Sequence, residues 1–261
     1  MKLFRFKTAK DKLISVILIL LILVFAVSAF IYGKNTISGR SQQNAFDELK
    51  ELVETGSETA APSEDNETGE RQMLSGYSAL YERNSDFAGW IKAEGTKIDY
   101  PVMCTPEDPN FYLRRAFDGS SASAGTPFIG VDSDAYSDCV IIHGHNMNNK
   151  TMFGTLDSYR DRSFWEKHPT FLIDSLYEHR EYRIFAAVQC EVIEAGKTGF
   201  KYYESGGELD SEQYEELADW LISNSFYDTG VVPDGAQIVI LSTCSYQNDN
   251  GRFVVAGYRV K

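Results

Sequence analysis

Residues 13–33, Leu-Ile-Ser-Val-Ile-Leu-Ile-Leu-Leu-Ile-Leu-Val-Phe-Ala-Val-Ser-Ala-Phe-Ile-Tyr-Gly, carry no charged side chain. An α-helix needs about 20 consecutive apolar residues to cross a hydrocarbon core, so this run reads as a membrane-spanning anchor. Lys2, Arg5, Lys7, Lys10 and Lys12 precede it against only Asp11. That bias keeps the N-terminus in the cytoplasm and puts everything from Lys34 onward outside the cell membrane. The competing reading is a cleaved signal peptide, with Val27-Ser-Ala29 resembling a cleavage site. The apolar part of such a peptide is about 7–15 residues, shorter than this run.

The anchor divides the chain into a basic tail (1–12), the span (13–33), a stalk or linker (34–72) and one large domain (73–261). In the stalk, Phe46, Leu49, Leu52 and Val53 have helical spacing, and Thr55 to Glu70 has the composition of a disordered spacer. The formal net charge is −13 although the tail is basic, so the remainder is strongly acidic. That argues against nucleic acid as a partner, because phosphate contacts need a basic patch. Cysteines at 104, 139, 190 and 244 show neither a C-x-x-C nor a zinc-finger spacing. No metal-ligand cluster is visible and no cofactor is expected. Cys104, Cys139 and Cys190 read as core residues and Cys244 as a free thiol.

The end of the chain carries the chemistry. Ile238 to Leu241 is a β-branched run, Gln247 to Gly251 are turn formers, and Phe253 to Val255 resume an apolar run: two strands of a hairpin. Antiparallel partners share a constant index sum, and Cys244 and Arg252 are equally far from Asn248. A symmetric register makes the thiol and the guanidinium cross-strand neighbours on one face. A cation there favours the thiolate and can hold an oxyanion forming beside the sulfur, which is the chemistry of cysteine acyl transfer. The bland alternative for this pair alone is a buried cysteine at a strand end with an arginine after a turn.

Upstream, Cys139-Val-Ile-Ile142 reads as a buried strand running into His143-Gly144-His145-Asn146. Histidine is the usual general base near neutral pH, and two are available here. His168, before Pro169, and His179, in a charged segment, read as surface residues. Leu74, Tyr77, Leu80 and Tyr81 give one or two helical turns, and residues 89–102 read as a strand hairpin around a Glu-Gly-Thr turn. Ser163 to Pro169 reads as a short helix before a strand at Thr170 to Ile173, and Glu181 to Ile193 as a long strand. Ser211 is the expected cap of a helix presenting Tyr214, Leu217, Ala218, Leu221 and Ile222 on one face, with Glu212, Glu215, Glu216 and Asp219 toward its first half.

Leu241-Ser-Thr-Cys244 followed by Arg252 resembles the Thr-Leu-x-Thr-Cys signature and downstream arginine of sortases. Residues 141–154, Ile-Ile-His-Gly-His-Asn-Met-Asn-Asn-Lys-Thr-Met-Phe-Gly, resemble the segment with the sortase histidine, and 84–102 looks like the start of a class B sortase domain. These three blocks stand in the family's order. Ile240 departs from it, where threonine is usual; the swap keeps β-branching and loses a hydroxyl.

The resemblance implies a mainly β fold (α+β): a closed eight-stranded sortase-type barrel with N-terminal helices and a helix before the cysteine strand that forms one wall of the groove. It implies Cys244 as nucleophile, Arg252 as oxyanion stabiliser and His145, from the pattern Gly-His-Asn-Met, as acid and base. His143 becomes a wall residue, with exchanged roles as the alternative. Leu113, beside Tyr112, and Ser242, on the cysteine's face, are candidate substrate contacts; core packing and plain strand structure are their alternatives. The implied reaction cleaves the sorting signal of a secreted protein through a thioacyl intermediate and joins the threonine carboxyl to an amine of a peptidoglycan precursor or a pilin lysine. The rival classes are a cell-wall cysteine peptidase and a non-catalytic membrane-anchored binding domain. Papain-like peptidases place cysteine before histidine, at a helix start, whereas here histidine comes first and both lie on strands.

Overall fold

The computed structural model describes residues 9–59, 71–194, 196–244 and 250–261. The basic tail up to residue 8, the spacer from 60 to 70 and the loop 245–249 lie outside the described residues. The chain forms two compact units, Met1–Ala45 and Phe46–Lys261. The first contains Leu13–Phe30, with mean hydropathy 3.2, long and apolar enough to cross a membrane.

In the second unit eight strands close on themselves in the order β1-β2-β3-β4-β7-β8-β6-β5. They are β1 (Phe87–Lys92), β2 (Asp99–Met103), β3 (Phe128–Ile129), β4 (Cys139–His143), β5 (Thr170–Ser175), β6 (Glu181–Glu191), β7 (Ile238–Cys244) and β8 (Gly251–Arg259). Pairs β2–β3 and β4–β7 are parallel and the other pairs antiparallel, with β5 returning to β1. Closure leaves no strand edge exposed along the sheet. The expected closed eight-stranded barrel is what the chain forms.

Both faces of the central strands are covered, which explains their unbroken apolar runs. Val140, Ile142, Val239, Leu241, Phe253 and Val255 point into the barrel core. Cys139, Ile141, Ile238, Ile240, Val254 and Ala256 point the other way, into a second core with Tyr202, Leu217 and Leu221. The second core is roofed by α4 (Ser211–Ser223), the expected helix before the cysteine strand. Its cap is Asp210, not Ser211. Asp210 accepts from the Gln213 backbone N–H while the Gln213 side chain accepts from the Asp210 N–H, a reciprocal capping box.

Three shorter expectations also resolve. The turns before Asn84 form α2 (Ser75–Arg83), and the helix before Thr170 is α3 (Arg162–Lys167), capped by Asp161. The spaced apolar residues of the stalk belong to a longer helix, α1 (Ala9–Thr59), so the first residues of the expected spacer are helical. No proline interrupts residues 9–59, so nothing forces a break. Phe46 and Leu49 are buried in the barrel-side core, with Phe46 edge-on to Tyr100 at 5.2 Å. The domain expected to begin at residue 73 therefore starts its packing at Phe46. All four cysteines are free; Cys139 is buried as expected, whereas Cys104 and Cys190 are only half-buried at the margins of the two cores. His179 is exposed and paired with Asp174, but His168 is half-buried against the Phe164 ring at 4.6 Å.

Candidate active site

The β7–β8 ladder runs Ile238↔Tyr258 through Cys244↔Arg252, a constant index sum with Cys244 and Arg252 as its last pair. Strand alternation then places Cys244, Ser242 and Arg252 on the face of Ile238, Ile240 and Val254, the side that α4 roofs. β6 extends the row, since Cys190 pairs with Arg252 from the other side. β4 contributes at the opposite flank, its last ladder pair being His143↔Ser242. One face of four adjacent strands thus carries His143, Ser242 and Cys244, Arg252, and Cys190 side by side at the strand ends. Cys244 is exposed and Arg252 half-buried.

The Arg252 charge bears on its neighbours in the row. Burial and, second, the Arg252 charge hold the pKa of His143 down to about 4. Burial pushes the Cys190 thiol up to about 12, and Arg252 offsets part of that rise. Burial pushes the Tyr202 hydroxyl up, and the Arg252 charge again opposes the shift. A permanent cation within reach of three groups on three different elements sits inside the row.

His145 lies just past β4. Its Nε2 is 2.7 Å from the Leu113 carbonyl oxygen. A carbonyl only accepts, so this contact puts a proton on Nε2 and leaves Nδ1 as the nitrogen free to exchange one. Leu113 ends the apolar part of a 3-10 helix, Phe111–Arg114, and its side chain is 40% exposed. Its contribution here is therefore a backbone oxygen as well as an exposed side chain. An open groove of about 330 Å³ beside it is lined by Asn110, Phe111, Arg114, Arg115 and Ser121.

Ser242 departs from the expectation of a substrate contact. It is 1% exposed, and its hydroxyl lies 2.9 Å from the Tyr202 hydroxyl, which is itself buried. Sharing the face of Cys244 one step down the strand puts Ser242 under the roof rather than at the opening. Tyr202 in turn stacks on Trp220 of α4 at 5.9 Å, so the helix expected as a groove wall is coupled to the cysteine strand through Tyr202 and Ser242.

Two residues that the sequence did not single out matter to the geometry. Asn146, 4% exposed, donates to the Cys244 carbonyl at 2.9 Å and to Asp157 Oδ2 at 3.2 Å. Its position after His145 was the available signal. Tyr202, in a short 3-10 helix Tyr202–Glu204, gave none, because its role depends on contacts remote in sequence. Among the described residues no group of three or more His, Cys, Asp or Glu could hold a metal ion.

No family model matches the chain. Solved structures share its architecture. Sortase B from Bacillus anthracis, in complex with AAEK1, aligns with a TM-score of 0.69 at 25% identity, over 86% of this chain and 99% of that one. A Staphylococcus aureus sortase B–substrate complex aligns at 0.70 with 22% identity, over 86% and 99% of the two chains, a likeness of fold. Barrel, helix roof and a strand-end cysteine facing an arginine define a sortase-type protein. At the level of sequence, sortase B of Listeria monocytogenes is 30% identical over 240 residues, 90% of this chain and 91% of its own length. The chain belongs to the sortase B family.

Proposed function

We propose that this chain is a membrane-anchored cysteine transpeptidase that works on the C-terminal sorting signal of secreted proteins. The observation that carries the reading is the Cys244↔Arg252 pair at the end of the β7–β8 ladder, on an accessible rim. The Staphylococcus aureus relative forms a complex with its substrate in the same fold, which supports a peptide as the ligand here. The Cys244 thiolate attacks the carbonyl carbon of the signal's threonine, forming a carbon–sulfur bond. Arg252 stabilises the oxyanion. The carbon–nitrogen bond breaks as His145 gives its Nδ1 proton to the departing amine, leaving a thioester on Cys244. An incoming amine then attacks the thioester, His145 takes its proton, and the thiolate leaves. The acceptor is an amine of a peptidoglycan precursor or a pilin lysine.

Residues 13–33 anchor the chain in the cell membrane, with the basic tail in the cytoplasm and the barrel outside, where secreted protein and acceptor meet. The test is product mass: purified barrel, a library of pentapeptide signals and a set of amines. The reading predicts a threonine amide carrying the supplied amine. Free threonine acid whatever amine is present would make the protein a peptidase, and no cleavage of any signal would leave the binding-domain reading standing.

A further inference from the structure

The β4–β7 ladder stops at His143↔Ser242, followed by one more backbone bond from the Gly144 N–H to the Ser242 carbonyl at 3.1 Å. Beyond that point the two segments are joined by side chains. Thr243 Oγ1 donates to the Gly144 carbonyl at 2.6 Å, and Asn146 Nδ2 donates to the Cys244 carbonyl at 2.9 Å. Thr243 is 2% and Asn146 4% exposed, so both bonds are shielded from competing water. His145 sits between the two tied residues. Its neighbour on one side is bonded to Ser242 and Thr243, and its neighbour on the other to Cys244.

The Asn146 amide has one workable orientation. Its Nδ2 faces two groups that only accept, the Cys244 carbonyl and, at 3.2 Å, Asp157 Oδ2. A flipped amide would set its oxygen against both. Asp157 is in turn flanked by Arg160 at 3.8 Å and Lys150 at 3.9 Å. From β8 the Cys244 backbone is held by its pairing with Arg252; from the histidine side Asn146 supplies the hold.

We propose that Asn146 is a positioning residue that fixes the distance between Cys244 and His145, with Asp157 orienting its amide. This rests on the transpeptidase reading, in which those two side chains exchange a proton through the substrate. Proton transfer and nucleophilic attack are steep functions of placement, and a displacement of about 1 Å can cost on the order of a hundredfold in rate. Asn146 is 4% exposed and acts through the Cys244 backbone, so its loss acts on turnover rather than on substrate affinity.

The experiment measures kcat, KM and the thermal midpoint for wild type, Asn146→Ala, Asn146→Asp and Asp157→Asn, using one sorting peptide and one amine. For Asn146→Ala, kcat falls by about tenfold or more with KM within about twofold and a cooperative melt retained. Asn146→Asp keeps the volume but replaces a donor with an acceptor facing acceptors, and loses at least as much. Asp157→Asn, at a half-exposed site, keeps the fold and loses kcat by a smaller factor. Wild-type kcat in both Asn146→Ala and Asp157→Asn overturns the proposal, as does a loss confined to KM or one fully matched by a fall in folded fraction. A wild-type protein that forms no thioester instead overturns the transpeptidase reading on which it stands.

Discussion

Arg252 stands opposite Cys244 on one strand and Cys190 on the other, and its charge bears on His143. Its planar, permanently charged fork is suited to an oxyanion in a way a lysine ammonium is not. Arg252→Lys should therefore lower kcat by about a hundredfold or more, read in the same peptide-transfer assay, while leaving the melt nearly unchanged. Parity with wild type would remove the arginine from the chemistry. His143 gives a second prediction. Burial, then Arg252, depress its pKa from 6.5 to about 4 in the folded chain. The unfolded chain thus binds this proton at higher pH than the folded one. The stabilisation is complete above about pH 6.5 and is lost as pH falls toward 4. Urea titrations at pH 7 and 4.5 should show wild type losing about 2 kcal/mol more than His143→Gln does. At this scale the Cys244–Arg252 register was legible, because equal spacing from Asn248 is a property of sequence alone. The burial of Ser242 was not, because the residue that covers it, Tyr202, lies forty positions away.

Elements were legible where their pattern was locally complete. The hairpin of β1 and β2, the long strand β6 and the amphipathic face of α4 all follow from spacing. The cap of α4 lies one residue before the expected Ser211, and the sequence carries the reason: Asp210-Ser-Glu-Gln213 has the glutamine at the third helical position that closes a capping box, whereas Ser211 has Tyr214 there. Asp210→Ala should cost about 1 kcal/mol of stability, seen as a lower urea midpoint, with Ser211→Ala close to neutral. The two-faced burial of β4 and β7 could not be read from their unbroken apolar runs alone, since such a run equally suits a buried helix segment. Only the packed structure shows that odd and even positions serve two different cores.

For the whole molecule, the boundary between the apolar N-terminal segment and the barrel unit is set by packing rather than composition. Residues 34–72 are polar enough to resemble a tether throughout, yet Phe46 and Leu49 are 2% and 6% exposed within the second unit, and Lys50 pairs with Asp99 at 2.6 Å. A protein starting at residue 46 should therefore be more stable than one starting at 73, by roughly 3 kcal/mol or more for the two lost apolar side chains. Equal urea midpoints would mean the helix adds nothing to the barrel. The proposed transfer turns on Cys244 carrying an acyl group, and intact-protein mass after mixing the barrel with a sorting peptide measures that directly. Wild type should gain the mass of the peptide fragment ending in threonine, lose it when an amine is added, and Cys244→Ala should gain nothing while melting like wild type. An adduct that persists in Cys244→Ala, or transfer at the wild-type rate by that variant, would contradict it.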